Sequence, residues 1–264
     1  MGQRRTQFTI GGSISLRAYV ALAALGFVLF IAVWVIVRAA NLAPSILLPG
    51  PIEVLNKLAK LARDGTLWAD VAASVYRIMV GFLLATALAI PIGVLIGTYR
   101  VAEAMIEPFV DFVRYMPVVG FVPLTIIWLG VDDAQKFAIV FIGTFFQEVL
   151  LIMDNTKRVP MDLVNIGRTL GLKDRWVLLR IVVPSAAPQI WDTLRISLGW
   201  AWTWVVLAEL VAATSGLGYR ITVAQRFNNI DTIIGYLIVL GILGLVTDQS
   251  MKAIGRTVFR WAER

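Results

Sequence analysis

The chain has 264 residues, of which 59% are hydrophobic and only 16% are charged, and its mean hydropathy is +0.80. Soluble domains are about 45–50% apolar, so most of these side chains must contact lipid or other apolar helices. The net charge of +7 is then explained by basic cytoplasmic ends and loops, not by nucleic-acid binding. Cysteine and histidine are both absent, which excludes disulfides, cysteine zinc sites, thiol nucleophiles and histidine-dependent triads within this chain.

The first predicted membrane span follows a polar, basic segment, residues 1–17. Residues 18–37 form a continuous apolar run that matches the roughly 20 residues needed to cross a bilayer. Because the apolar core of a signal peptide is shorter, we expect an uncleaved span. Its start lies beside Arg4, Arg5 and Arg17 and is expected on the cytoplasmic side. Residues 41–76 are too broken by prolines for a span and are expected at the outer surface.

The second predicted span, residues 78–98, has a glycine or alanine at every fourth position from 81 to 97. Small residues on one helix face let two backbones approach closely in lipid, where burial of apolar area gives little driving force. The pattern favours packing within the chain over a subunit interface. Pro91 lies within the span and is expected to bend it.

The third apolar region, residues 104–130, contains three prolines and is expected to be irregular. Irregular backbone at membrane depth is tolerated mainly where protein or a cavity covers it. Residues 114–123, which include Arg114, Met116 and Pro117, are therefore a candidate lining of a translocation path. The alternative is a helix that is merely kinked and packed.

A basic loop, residues 157–188, separates the fourth predicted span, 137–153, from the fifth, 190–213. Short loops rich in lysine and arginine stay in the cytoplasm during insertion, so we expect this loop to face a soluble partner there. Its basic residues are Lys157, Arg158, Arg168, Lys173, Arg175 and Arg180.

The loop is predicted to form a short amphipathic helix–turn–helix. Pro160 can open the first helix and Asp162 suits its first turn. Gly171 ends it. The second helix is expected over residues 174–183, with Pro184 and Pro188 flanking its end.

The remainder of the chain is predicted to contain one more span. Residues 219–231 are polar and are expected to form an outer segment. The sixth span is predicted over residues 232–251, after which basic residues up to Arg264 place the C-terminus inside.

The loop resembles a motif of inner-membrane ABC importer subunits, written EAA, three residues, Gly, nine residues, Ile-x-Leu-Pro. Gly171, Ile181 and Pro184 match that spacing, whereas Asn165, Ile166 and Gly167 stand in place of EAA and Val183 in place of Leu. The stretches AELVAATSGLGY (208–219) and RYMPVVGFVPLTIIWLG (114–130) are similar to type I permeases for taurine, alkanesulfonates, nitrate and bicarbonate. This resemblance covers nearly all of residues 48–264.

The resemblance implies an all-α, polytopic fold with about six transmembrane helices, its permease domain in residues 18–264 and both termini cytoplasmic in a bacterial inner membrane. It implies three partners: a cytoplasmic ABC ATPase dimer that binds ATP and Mg²⁺, a periplasmic or lipid-anchored substrate-binding protein, and a second permease copy. The chain itself shows no phosphate-binding loop and no hydrolytic or metal-binding constellation, so we expect a non-catalytic subunit without a cofactor. The residues expected to couple it to the ATPase are Pro160, Asp162, Asn165, Ile166, Gly167, Leu170, Gly171, Arg175, Arg180 and Pro184.

The predicted cargo is a small anion such as taurine, an alkanesulfonate or nitrate, moved by alternating access. Candidate path residues are Arg114, Met116, Pro117, Arg195, Trp202 and Glu209. Either arginine could attract an anion or pair silently with Asp111 or Asp192. An ionisable residue within a span is a functional candidate, but Glu209 could equally brace the turn that follows it. A small nitrogen compound as cargo, an ion-gradient-driven secondary transporter and a membrane scaffold remain alternatives.

Overall fold

A computed structural model describes residues 14–42, 44 and 46–262. Most of segment 1–17, with Arg4 and Arg5, and Arg264 at the other end lie outside the described residues. Within the described ranges the protein is helical and contains no strand, which confirms the predicted all-α fold. The helices are α1 Leu16–Ala39, α2 Pro51–Arg63, α3 Thr66–Thr98, α4 Arg100–Arg114, α5 Phe121–Leu129, α6 Asp133–Lys157, α7 Met161–Thr169, α8 Asp174–Val177, α9 Val183–Ala212, α10 Leu217–Arg226 and α11 Ile230–Val258.

Five helices of the described chain are long and apolar enough to cross a membrane: α1, α3, α6, α11 and the continuous helix Asp174–Val211. A sixth span is available if α4 and the segment Val118–Leu129 cross the membrane together. These two pieces are bent by 82° relative to each other at a short break. The count agrees with the predicted six spans. If the two pieces form the third span, that span is broken at residues 115–117.

The core is a bundle of α3, α6 and α9. Its fully buried apolar side chains include Ile78 and Ile96 on α3, Ile152 on α6, and Val205 on α9. Each loses its contact with lipid and water, which stabilises the bundle through close packing.

Helix α3 packs against α6 through its small residues, as predicted. A Cβ atom added to Gly81 would lie 2.7 Å from Val140 Cβ, and one added to Gly93 would lie 2.7 Å from Ile152 Cβ. Only glycine permits these approaches, so the stripe serves packing within the chain. The helix runs without a break through Pro91.

Helix α3 begins at Thr66, twelve residues before the predicted start of the second span. The prediction was wrong because Asp70, Ser74 and Arg77 were interpreted as lying outside the apolar span. All three are buried, with exposed fractions of 2%, 0% and 5%, and they point into the bundle. Polar residues at this end of the helix are satisfied by other helices, not by water.

Pro184 and Pro188 do not end the second helix of the basic loop, contrary to the prediction. A π-helical turn, Leu178–Val182, joins α8 to α9, and the N–H of Val183 donates to Leu178 O, five residues back. Proline lacks an N–H, and its ring clashes with the carbonyl four residues earlier in an ordinary α-helix. The wider turn before Pro184 accommodates that ring, so the helix continues into the membrane.

Residues 219–231 were predicted as a polar outer segment, but most of them belong to α10. Leu217 and Ala224 are buried at 0% and 3% exposure, and Ile221 packs against the core beside them. The helical spacing of these three residues is visible in the sequence, but the polar residues between them obscure it.

Helix α1 lies at the periphery of the bundle, where it lines an apolar groove together with α11. None of its residues is buried. Trp34 Nε1 donates to Pro49 O at 3.1 Å, and Arg38 lies 3.9 Å from Glu53 of α2. The apolar surface of α1 must therefore contact lipid or another protein.

Candidate functional site

Two glycines shape the basic loop in different ways. Gly167 is buried on α7, and a Cβ atom there would collide with Ile181 Cδ1 of the π-helical turn. Gly171 has φ +78° and open space around its Cα. Gly167 therefore permits α7 to pack on the α8–α9 helix, whereas Gly171 supplies the left-handed residue that ends α7.

The outward surface of α7 is a shallow concavity with exposed apolar side chains. Ile166 is 56% exposed and Leu170 is 75% exposed. We call this surface the α7 face, and it consists of Asp162, Asn165, Ile166, Thr169 and Leu170. Four of these five were predicted to couple to the ATPase. Large apolar side chains held open to solvent on a short helix are typical of a protein-interaction surface.

The second helix of the loop presents positive charge. The guanidinium groups of Arg175 and Arg180 lie 5.4 Å and 4.7 Å from the centroid of the Trp176 ring. Neither arginine forms an ion pair within the described part of the chain, whereas Arg168 pairs with Asp174 at 3.3 Å. Stacking on an aromatic ring orients a guanidinium without neutralising it, so both charges remain available to a partner.

The start of the loop is joined to the broken third span. Lys157 Nζ, at the end of α6, lies 3.0 Å from Glu103 Oε1 and 3.9 Å from Glu107 Oε2 of α4. These ion pairs connect the C-terminal end of α6 to the first half of that span.

Arg114, Met116 and Pro117 lie together at the break between α4 and α5. Arg114 Nε donates to Asp111 Oδ1 at 2.8 Å, and its guanidinium lies 4.6 Å from the centroid of the Tyr115 ring. More than a third of each charged side chain stays exposed. An exposed ion pair between the two ends of a span is costly against lipid, so this surface faces water or protein.

Arg195 and Trp202 lie elsewhere, between α9 and α11. Arg195 Nη1 donates to Asp248 Oδ1 at 2.7 Å, and its Nε lies 3.4 Å from Asp192 Oδ1. Trp202 Nε1 donates to Thr247 Oγ1 at 3.2 Å. Of the two roles predicted for Arg195, the structure shows pairing with a carboxylate. The hydrogen bonds of Arg195 and Trp202 hold α9 and α11 together.

Glu209 is only 1% exposed and braces the turn after α9, which was one of its two predicted roles. Its carboxylate accepts hydrogen bonds from Ser74 Oγ at 2.8 and 2.9 Å, from Arg77 Nη1 at 2.8 Å and from the N–H of Gly218 at 2.8 Å. A Cβ atom on Gly216, which has φ +112°, would overlap this carboxylate.

Further hydrogen bonds extend this arrangement to five helices. Arg77 also donates to Asp133 at 2.7 Å and to the Ser215 carbonyl at 2.6 Å. Asp70 accepts from Arg220 and from Tyr236, both at 2.8 Å. The hydrogen bond to Asp70 raises the pKa of Arg220, which keeps this guanidinium charged. We call the set the outer network, after the side of the membrane on which the sequence predicts this end of the helices: Asp70, Ser74, Arg77, Asp133, Glu209, Ser215, Arg220 and Tyr236.

Comparison with known proteins identifies the family of this chain. The family model described as "Binding-protein-dependent transport system inner membrane component" matches residues 89–260. The chain belongs to this family. A probable ABC transporter permease protein of Brucella abortus is 40% identical to this chain over 240 residues, which cover 91% of this chain and 95% of the relative.

Two further relatives have names that state a cargo. The taurine transport system permease protein TauC of Escherichia coli is 30% identical over 234 residues, covering 87% of this chain and 85% of the relative. The bicarbonate transport system permease protein CmpB of Synechococcus elongatus is 26% identical over 247 residues, which cover 89% of this chain and 88% of the relative.

Among solved structures, a chain of the MetNI methionine ABC transporter, described as inward facing, superposes with a TM-score of 0.62. It is 19% identical and covers 73% of this chain and 96% of its own length. At this identity the likeness concerns the fold alone, and it confirms the predicted importer-permease architecture.

The permease also buries a carboxyl group that the sequence analysis did not single out. Glu148 of α6 has no exposed surface and accepts from Ser197 Oγ at 2.6 Å and Thr86 Oγ1 at 3.1 Å. No lysine or arginine of the described residues pairs with it. Its position in the middle of an apolar span was the signal that could have found it. Its bonds join α3, α6 and α9.

The structure therefore divides the six predicted path residues of the permease among three places. Arg114, Met116 and Pro117 share the break in the third span, Arg195 and Trp202 lie between α9 and α11, and Glu209 belongs to the outer network. The lining of the path by the first group remains a prediction. Within residues 14–42, 44 and 46–262, no group of three acidic side chains has the arrangement of a metal site.

Proposed function

We propose that this permease forms the membrane path of an ATP-driven importer and that a separate cytoplasmic ATPase docks on its α7 face. Membership of the family supports such an ATPase and a substrate-binding protein as partners. The observation that carries the proposal is the α7 face itself, with its exposed Ile166 and Leu170 beside the two unneutralised arginines of α8 and the π-helical turn. The proposed orientation places this face and both termini in the cytoplasm.

A single rigid element can carry movement of the ATPase to the far side of the membrane. The helix Asp174–Val211 has 38 residues, which corresponds to about 57 Å at about 1.5 Å per residue. One end packs on α7 through Gly167 and Ile181, and the other contains Glu209 of the outer network. Because no flexible loop interrupts it, a displacement of α7 tilts α9 as a unit. Such a tilt is the rigid-body motion that alternating access requires.

The same displacement also reaches the broken span. Lys157 precedes α7 by only a few residues and pairs with Glu103 and Glu107 of α4. Movement of the loop therefore pulls on the segment that leads to Arg114. The loop is therefore connected to the bundle in two ways, through α9 and through α4.

The proposed cargo is a small oxyanion. The named relatives support this class, since a sulfonate and bicarbonate both present several oxygens around one centre. In this chain Arg114 is the arginine whose guanidinium remains partly exposed at a break in a span, where it can attract an anion to the path. Taurine, an alkanesulfonate and nitrate are the first compounds to test.

A second copy of the permease completes the proposed path. Helix α1 buries none of its residues against its own bundle, and α11 exposes Leu237, Ile242 and Leu245. These surfaces are available to a partner subunit as well as to lipid. A periplasmic or lipid-anchored substrate-binding protein is expected to deliver the cargo on the side of the outer network.

The docking proposal is tested by affinity purification of a tagged full-length chain from its own cells, followed by measurement of Mg-ATP hydrolysis in the purified complex. We expect Ile166→Glu to remove the hydrolytic activity, because a charge on the α7 face cannot be desolvated against an apolar partner. The matched control is Ile52→Glu, which places the same charge at an isoleucine that is 73% exposed on α2.

Retention of full ATP hydrolysis in the Ile166→Glu preparation would contradict docking at this face. Uptake of labelled taurine, alkanesulfonate or nitrate into vesicles, with and without internal ATP, then separates the importer from an ion-driven transporter. Uptake that follows an ion gradient without ATP would contradict the proposed mechanism.

A further inference from the structure

A cavity of about 470 Å³ lies between α9 and α11, at the end of the bundle where the basic loop emerges. Its walls come from the first turns of α9 and the last turns of α11, and the outer network is at the opposite end of both helices. Trp191, Arg195, Lys252, Gly255, Arg256 and Phe259 line it. It is separate from the α7 face and from the break in the third span.

The cavity is built around one tryptophan. Trp191 Nε1 donates to Met251 O at 2.8 Å, and Gly255 lacks the side chain that would collide with the indole ring. The ring of Phe259 lies 6.1 Å from that of Trp191. These contacts fix the floor of the cavity.

Positive charge predominates at the cavity. Asp192, which also lines the cavity, and Asp248 both contact Arg195, so two carboxylates face this one guanidinium. Lys252 and Arg256 are one helical turn apart on α11, and neither forms an ion pair with any described residue. Two uncompensated cations therefore face a concave surface with aromatic walls, and this combination matches a phosphate group.

The surroundings of the cavity favour a lipid as the source of that phosphate. The same turns of α11 expose Ile254 and Val258, at 48% and 56%, and Trp261, just beyond the helix, is 55% exposed. Apolar and aromatic side chains at the end of a span contact the boundary between acyl chains and headgroups. Basic pockets between spans at this level suit anionic headgroups.

We propose that this cavity is a binding site for the headgroup of an anionic phospholipid in the leaflet on the side of the basic loop. Lys252 and Arg256 bind the phosphate, Trp191 forms the floor, and the acyl chains lie along the exposed side of α11. The bound lipid fills the space between α9 and α11, next to the end of α9 that carries the proposed movement.

The experiment uses the full-length permease in nanodiscs that contain equal amounts of phosphatidylglycerol and phosphatidylcholine. After release into detergent, native mass spectrometry measures which lipid stays bound. We expect phosphatidylglycerol to be retained in excess. Each basic side chain near an anionic headgroup strengthens binding about fivefold, so Lys252→Gln with Arg256→Gln should lower the excess by about 25-fold.

The matched control is Lys60→Gln with Arg63→Gln, which removes the same two charges from exposed positions on α2 and should leave the excess unchanged. The conservative pair Lys252→Arg with Arg256→Lys should also retain it. Equal retention of both lipids by the unaltered protein would overturn the proposal, as would an unchanged excess in the Lys252/Arg256 variant. Binding of inorganic phosphate that depends on Lys252 and Arg256, without any excess of phosphatidylglycerol over phosphatidylcholine, would show a site for free phosphate, and the lipid assignment would be wrong.

Discussion

The buried pair Arg77–Glu209 provides a quantitative test of the outer network. The side chain of Arg77 is 6% exposed and that of Glu209 has no exposed surface, and their closest atoms are 2.8 Å apart. Removing one partner of a buried pair leaves an uncompensated charge and costs about 3–5 kcal/mol. The free energy of unfolding should therefore depend on which partner is removed.

The structure predicts an asymmetry between the two single variants. Arg77→Gln removes the only ion-pair partner of Glu209 among the described residues, so we expect the full cost of about 3–5 kcal/mol. In Glu209→Gln, the arginine keeps Asp133 and the Ser215 carbonyl, and the amide oxygen can still accept from Gly218 or Ser74. Its cost should be about 1–3 kcal/mol, which is typical of imperfectly satisfied buried groups.

The double variant completes the cycle. Without either charge, no buried ion is left uncompensated, so its cost should fall below the sum of the single costs by about 2 kcal/mol, within the usual range for groups in contact. Unfolding in mixed detergent and dodecyl sulfate can be followed by the fluorescence of the nine tryptophans. Arg100→Gln is the control, because that side chain is 94% exposed. Strict additivity, or a negligible cost of Arg77→Gln, would refute the reasoning.

Two predictions concern the packing of α3, α6 and α9. Gly93→Val should lower stability by about 1–3 kcal/mol in the same unfolding assay, because its side chain would overlap Ile152 and separate the helices. Gly241→Val is its control, because a Cβ atom at Gly241 would lie in open space. Equal losses of stability in the two variants would contradict close packing of α3 on α6. Glu148→Leu should destabilise more than Glu148→Gln, because only the amide can still accept from the hydroxyls of Ser197 and Thr86. The reverse order would show that these hydrogen bonds contribute nothing.

The sequence predicted the shape of the basic loop more fully than it predicted where the candidate path residues lie. The spacing around Gly171 and the basic residues of 157–188 are local signals, and the structure places Asp162, Asn165, Ile166 and Leu170 on one exposed face. The path residues were chosen by charge and by proline content within spans. That choice grouped Arg114 with Arg195 and Glu209, although each belongs to a different part of the bundle.

Hydropathy and spacing along the chain determined the membrane class, the approximate number of spans, the small-residue stripe of α3 and the helical loop, because these depend on neighbours a few residues apart. Tertiary structure alone decided which polar groups meet. Arg77 and Glu209 are 132 positions apart, and Asp70 and Tyr236 are 166 apart. A local pattern reports that a polar residue lies in an apolar stretch, but only the packing of helices shows whether that residue faces a path, caps a turn or pairs with a partner. The same packing explains why α3 begins at Thr66 and why α9 continues through its prolines.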